Sequence, residues 1–194
     1  MDADGLTFAC ATVAELKAGR DAGLPAVLVG LRATGELPEG RLVSFGLAGS
    51  LRDDLGCGTV LDAVRVVDIE GGTIWSGAPL GVPGAREATI LAADAIVDEP
   101  SARRLLRERT GADAADLESG ALARTGRLAG CLRVVSDTPS RTLDGIAGGV
   151  REDGSLDWAG LVRGFVRRPA GFVRAASDGR RALRTLRQAA GSLA

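Results

Sequence analysis

The chain of 194 residues is 45% hydrophobic and 25% charged, with a net charge of −1, which suffices for one well-buried domain and is too little for two of typical size. It has no histidine and no tyrosine, and Lys17 is its sole lysine, so Ser-His and Cys-His mechanisms and most zinc sites are excluded and carboxylates remain as the proton-transfer groups. Cys10, Cys57 and Cys131 are far apart with no CxxC spacing, which suits buried thiols rather than a disulfide framework or a metal site.

In chain order, the start Met1-Asp2-Ala3-Asp4 is acidic where a secretory leader is basic. No apolar run approaches the roughly 18 residues of a membrane span, so a cytoplasmic protein is expected. Apolar runs predict strands over 7–11, 26–30, 42–47, 60–67, 90–97 and 132–135. Between them, helical spacing predicts helices over 12–22 and 117–129, and Pro100-Ser101 opens a further helix that Gly111 stops. Trp75, between Ile74 and Ser76, either lines a pocket or anchors a hairpin. Strands alternating with helices argue for one α/β layered domain over 1–194.

The closing segment, 158–194, is expected to be helical and basic. From Ala159 onward eight arginines face the single acid Asp178, giving +7, so residues 1–158 carry −8. Arg168-Pro169 and Asp178-Gly179 divide it into helices near 158–167 and 180–191. Two readings fit this pattern: solvated faces of helices packed on the sheet, or a basic amphipathic surface, with Arg163, Arg167, Arg168 and Arg174 beside Phe165 and Phe172, that contacts an anionic membrane. A nucleic-acid partner is not expected, since the tail has little aromatic interleaving and no recognised binding motif. Neither GxGxxG nor GxxxxGK[ST] occurs, which leaves dinucleotide and P-loop readings without support.

Two carboxylates stand at junctions of element and loop. Glu118 lies at the start of the helix that carries Leu117, Ala121 and Leu122, and Ser136-Asp137 ends the run Leu132-Arg133-Val134-Val135. In open α/β sheets the ligand crevice lies beyond the carboxyl ends of strands. Each has a plainer role as well: Ser136-Asp137 before Thr138-Pro139 can cap a turn, and an acid in a first helical turn complements the helix dipole by about 0.3–1 kcal/mol.

The pairing of Leu117-Glu118 with Ser136-Asp137 resembles the signature of the nucleoside phosphorylase superfamily, in particular the methylthioadenosine/S-adenosylhomocysteine nucleosidases, whose chains carry a Met-Glu helix start and a later Ser-Asp pair. Ala11-Thr12-Val13-Ala14-Glu15-Leu16 looks like that family's first acidic loop, and Ser44-Phe45-Gly46-Leu47-Ala48-Gly49 like its glycine-containing strand end. The closing stretch, from Asp153-Gly154-Ser155 through Arg167-Arg168-Pro169 to Ala182-Leu183-Arg184, looks most like the hopanoid-associated branch. The resemblance implies a central twisted mixed sheet flanked by helices, an oligomeric enzyme, and cleavage of a purine nucleoside with release of adenine from a 5′-modified adenosine such as a lipid adduct.

On this resemblance Asp137 protonates N7 of the departing purine, a general-acid step of the kind that contributes about 10²- to 10⁴-fold. Partial burial beside the Ser136 hydroxyl is the expected means of holding that proton. An ionised Glu118 accepts ribose hydroxyls and stabilises the oxocarbenium-like sugar, and Glu15 activates water. Ser136, Leu117, Gly46, Ala48, Gly49 and Ile96 contact substrate, the glycines by allowing close backbone approach. No metal or cofactor is implied. Phosphate stays open as co-substrate, with Arg20, Arg32 or Arg52 as sources of an anion site, although Ser44 and Leu47 stand where phosphorolytic relatives carry an Arg and a Ser.

The chain departs from the family in having four Phe, two Trp and no Tyr. Ile96 stands where a Phe is expected, and the segment 68–88 is short. An aliphatic pocket suits a greasy 5′-group, whereas the missing aromatics also suit a catalytically weak nucleoside-binding or scaffold protein.

Overall fold

The computed structural model describes residues 5–141, 169–194 and Asp153. Strand β1 (Leu6–Cys10) leads through Thr12 into helix α1 (Val13–Asp21). The helix starts there because of a reciprocal cap: the Glu15 amide donates to the Thr12 hydroxyl at 3.3 Å, and the Glu15 carboxylate accepts from the Thr12 amide at 2.8 Å. Strands β2 (Ala26–Leu28), β3 (Arg41–Ser50), β4 (Val60–Val67), β5 (Thr73–Ser76) and β6 (Arg86–Ala92) follow. Helix α2 (Pro100–Thr110) has proline at its first position and stops at Gly111, whose φ of 69° is the left-handed conformation that glycine adopts without strain. Then come β7 (Ala114–Asp116), α3 (Ser119–Arg124), β8 (Leu128–Asp137) and α4 (Pro169–Ala190).

The sheet is mixed. Its order is β2-β1-β3-β7-β6-β4-β5, with β8 paired to both β3 and β4. The pairings β3 to β8, β8 to β4, β4 to β6, β6 to β7 and β7 back to β3 form a closed circuit. Strand β8 therefore lies between neighbours on both edges, and nine of its ten residues are buried, without the alternation of a half-exposed strand.

Helices α1 and α4 cover one face. Phe8 and Phe45 meet edge to face, with centroids 5.8 Å apart, in a core shared with Leu132, Val134, Ala182 and Leu186. Burying a leucine such as Leu186 stabilises the fold by about 1.5–3 kcal/mol. A second core, including Val29, Leu42, Leu61, Ile90 and Leu122, fills the other side.

Several boundaries differ from the expectations. The helix expected over 117–129 is shorter, Ser119–Arg124, and ends at Thr125-Gly126, because the residues after it belong to β8. The strand expected over 90–97 begins earlier and stops at Ala92, leaving Ala93–Glu99 as a loop. Strands β5 and β7 were not expected; each is only four or three residues long and too brief to show a period. Trp75 anchors the β4–β5 hairpin, its indole N–H donating to the Leu128 carbonyl at 2.8 Å. Asp178-Gly179 does not divide the tail, because α4 runs through it. A glycine inside a helix costs about 1 kcal/mol relative to alanine, which burial of Ala175, Ala182, Leu186 and Ala190 along the helix offsets. The helix expected near 158–167 lies outside the described residues. Cys10 and Cys131 are buried free thiols, and Cys57 is half-buried.

Candidate active site

A cleft of about 150 Å³ opens at the ends of β3, β7 and β8. Glu15, Glu118 and Asp137 line it together with Ala48, Gly49, Ile96, Leu117 and Ser136. Of the residues expected to be catalytic or to contact substrate, only Gly46 lies outside the lining. It sits behind the Glu15 carboxylate, where an added Cβ would overlap Glu15 Oε1 and stand 2.7 Å from Arg133 Nη1. Gly46 thus makes room for two side chains and does not present backbone to a ligand.

Glu15 is 5% exposed and is held at both oxygens. Oε1 accepts from the Leu47 amide at 2.8 Å, and Oε2 accepts from the Thr12 amide at 2.8 Å and hydroxyl at 2.9 Å. The cap that starts α1 is therefore also the device that aims this carboxylate along the wall of the cleft.

Glu118, at the N-cap of α3, accepts at Oε1 from the Arg32 amide at 3.1 Å, and its Oε2 lies 3.8 Å from Arg133 Nη2. That amide belongs to a strained turn, with Arg32 at φ 56° and Ala33 at φ 52°, left-handed values that non-glycine residues rarely adopt. Burial, with Asp116 and Glu15 close by, pushes the Glu118 carboxyl up to about 8, against the opposing effects of Arg133 and the Arg32 amide. This differs from the expected ionised Glu118: desolvation and two neighbouring carboxyls outweigh one arginine.

Beneath these acids lies a polar cluster that sequence reasoning did not assemble. Arg133, from the middle of β8, is 1% exposed. Its Nε donates to Asp116 Oδ2 at 2.5 Å and its Nη2 to the hydroxyls of Ser44 at 2.5 Å and Ser119 at 3.2 Å. Asp116 also accepts from the Ser119 amide at 3.0 Å and from the Ser119 hydroxyl. One signal was available, a charge inside each apolar run, at Asp116 after Ala114-Ala115 and at Arg133 after Leu132. Buried charges need partners.

Asp137 ends β8 at an irregularity: Val135 pairs with Ala48 and Asp137 with Gly49, so Ser136 is an extra residue on its strand. Such a bulge re-aims the side chains around it. The Ser136 hydroxyl donates to Asp137 Oδ1 at 2.6 Å, as expected from adjacency. Oδ2 accepts from Arg103, a partner the sequence did not suggest, since α2 carries five arginines or glutamates that read alike as a solvated face. The setting of Asp137 is accordingly a hydroxyl on one side and a buried guanidinium on the other.

The arginines considered for an anion site are engaged elsewhere. Arg20 donates to the Ala26 carbonyl, Arg32 to the Asp94 carbonyl, and Arg52 to Asp54 and Asp113. Among the described residues that line the cleft, Arg103 is the one cation.

A single α/β domain with a mixed sheet flanked by helices, and buried carboxyls gathered round one cleft at its strand ends, is the class of protein that fold and site define. No protein-family model matches the sequence, and no curated protein matches it. Solved structures do. The chain is similar to futalosine hydrolase of Helicobacter pylori, at 15% identity over 97% of this chain and 96% of that one, with a TM-score of 0.68. It is similar to the 5′-methylthioadenosine/S-adenosylhomocysteine nucleosidase of the same organism, in complex with a pyrrolo[3,2-d]pyrimidinyl-methyl pyrrolidinol, at 14% identity, 100% and 98% coverage and a TM-score of 0.69. A structure from Francisella philomiragia described as a putative nucleosidase of the same kind matches at 14% identity, 97% and 97% coverage and a TM-score of 0.65. The chain has the fold of these nucleosidases.

Proposed function

We propose that this protein is a purine nucleosidase that cleaves the N-glycosidic bond with water. The observation that carries the reading is the convergence of Glu15, Glu118 and Asp137 on one cleft within a fold shared with nucleosidases of known structure. In the reaction, Asp137 passes a proton to N7 as the C1′–N9 electron pair leaves with the base. Water adds to C1′ and gives a proton to Glu15, whose two oxygens are already oriented by Leu47 and Thr12. Glu118, in its ionised form, accepts the ribose hydroxyls and stabilises the positive charge that develops on the sugar, which places the stabilisation in the transition state. Water is favoured over phosphate by the engagement of Arg20, Arg32 and Arg52 away from the cleft.

For the substrate, the reading extends to adenine release from a 5′-modified adenosine with an aliphatic group, a hopanoid lipid adduct being one example. Support comes from a wall built of Leu31, Leu47, Leu51, Ile96 and Val97, with Ile96 43% exposed at its rim. A lipid-linked substrate also calls for peripheral contact with an anionic membrane, and a homo-oligomer is part of the same proposal. No helix among the described residues is long and apolar enough to cross a membrane.

A second reading is a nucleoside-binding or scaffold protein of low turnover. No aromatic residue is among the described residues that line the cleft, which favours it. Incubation with adenosine, 5′-methylthioadenosine and futalosine, with and without phosphate, separates these outcomes by mass spectrometry. Free base with ribose or its 5′-derivative supports hydrolysis, free base with a ribose 1-phosphate product indicates phosphorolysis, and binding without any product supports the scaffold.

A further inference from the structure

We infer that Arg103 is a positioning residue for base release, setting the orientation of the Asp137 carboxyl and of the Ile96–Val97 wall of the cleft at once. The inference rests on the nucleosidase reading above. Arg103 is 1% exposed, although it stands on a helix whose other arginines are more exposed. Its planar fork serves three elements: Nε donates to the Val97 carbonyl at 2.7 Å, Nη1 to the Ser50 carbonyl at the end of β3 at 3.0 Å, and Nη2 to Asp137 Oδ2 at the end of β8. Nη2 also lies 3.8 Å from Asp98 Oδ1 in the same loop as Val97.

These contacts are costly to assemble for stability alone. A fully buried arginine loses its hydration, and replacing a buried ion pair with apolar side chains is often neutral or stabilising. What a guanidinium supplies that an apolar group does not is direction, through donors fixed in one plane. Gly49 fits the same purpose: a Cβ there would stand 2.9 Å from Asp137 Oδ2 and 3.4 Å from Arg103 Nη1, so the absent side chain leaves room for the pair. The loop Ala93–Glu99 brings Ala93, Ala95, Ile96 and Val97 to the cleft. One side chain thereby holds both a wall of the cleft and the carboxyl that must reach the base. When Asp137 gives up its proton, the guanidinium stands beside the carboxylate left behind and is already in place.

The test is steady-state kinetics of Arg103→Met and Arg103→Lys on a purine nucleoside that the wild type cleaves, with thermal unfolding measured alongside. A displacement of the order of 1 Å costs up to about 10²-fold. Arg103→Met is therefore expected to lower kcat by about 10- to 100-fold with KM changed by less than about threefold. Arg103→Lys should recover part of kcat, since an ammonium supplies the charge and lacks the fork. Should Arg103→Met fail to fold, Gly49→Ala carries the test by crowding the pair with both charges kept, and it should lower kcat. Wild-type kcat in Arg103→Met or in Gly49→Ala, or equal losses in the Met and Lys variants with KM rising in parallel, overturns the inference. A wild type that cleaves no purine nucleoside overturns the functional reading instead.

Discussion

Gly46 and Glu15 occupy one space: the carboxylate of Glu15 packs against the α-carbon of Gly46 where any other residue has its β-carbon. The Arg133 guanidinium closes the same gap from the other side, at 2.7 Å from that position. Gly46→Ala therefore has to move Glu15 off the Leu47 amide or push Arg133 out of its cluster. Overpacking of this kind costs about 1–3 kcal/mol. We expect a lower unfolding temperature together with a loss of turnover, and a crystal structure or chemical denaturation with an activity assay checks both.

Asp137→Asn keeps the shape, with its amide oxygen accepting from Arg103 and its amide N–H donating to a Ser136 hydroxyl turned to accept, and removes the proton that passes to N7. Base release should fall by about 10²-fold or more, the scale of a general-acid contribution. Nucleoside affinity should change little. Calorimetric titration with a purine nucleoside, beside product assay, makes the comparison, and full activity of the variant takes Asp137 out of the mechanism.

Glu118 links stability to pH through its raised carboxyl. Because the folded state holds this proton up to about 8 while the unfolded chain releases it near the ordinary glutamate value, the folded state binds more protons between the two. The stability from this group is thus fully present below the unfolded value and is lost as pH rises through about 8. Glu118→Gln, a permanent mimic of the protonated form, should unfold at a temperature that varies less over this window. Unfolding scans at pH 5, 6, 7 and 8, about one unit apart across it, read the difference.

The same variant should lose more in kcat than in ground-state binding, since the charge matters most when the ribose is cationic. Its rate should also become less sensitive to removal of the 2′-hydroxyl. If wild type and variant lose the same factor on a 2′-deoxynucleoside, Glu118 does not read that hydroxyl.

For the basic tail, lipid-linked substrate implies that Arg163, Arg167, Arg168 and Arg174 help hold the protein at anionic bilayers. Each contributes about 1 kcal/mol near the surface, decaying over a Debye length of about 8 Å. Co-sedimentation with vesicles should rise with anionic lipid and fall with salt. Absence of binding at every salt concentration overturns the membrane contact.

Much of this protein was set locally. Thr12 and Glu15 mark their own helix start, Pro100 and Gly111 bracket α2, and Val60–Val67 is a strand at the bounds its apolar run predicts. These features depend on backbone preferences and short-range capping, which neighbours in the chain decide. Glu118 and Asp137 were legible as acids at element ends because they stand beside apolar runs, whereas Glu15 was singled out by the family resemblance of the loop after the first strand.

Tertiary structure decided what those acids face. Closure of the sheet through β7 and β8 put Arg133, Ser44 and Asp116 behind Glu118, and the bulge at Ser136 turned Asp137 toward Arg103. Arg103 looks like its neighbours Arg104 and Arg107 in the sequence, and burial alone separates it from them. Partners 34 and 17 residues apart along the chain set the charge balance of the site. Electrostatics between buried groups depends on distance and solvent exclusion, which no local pattern encodes.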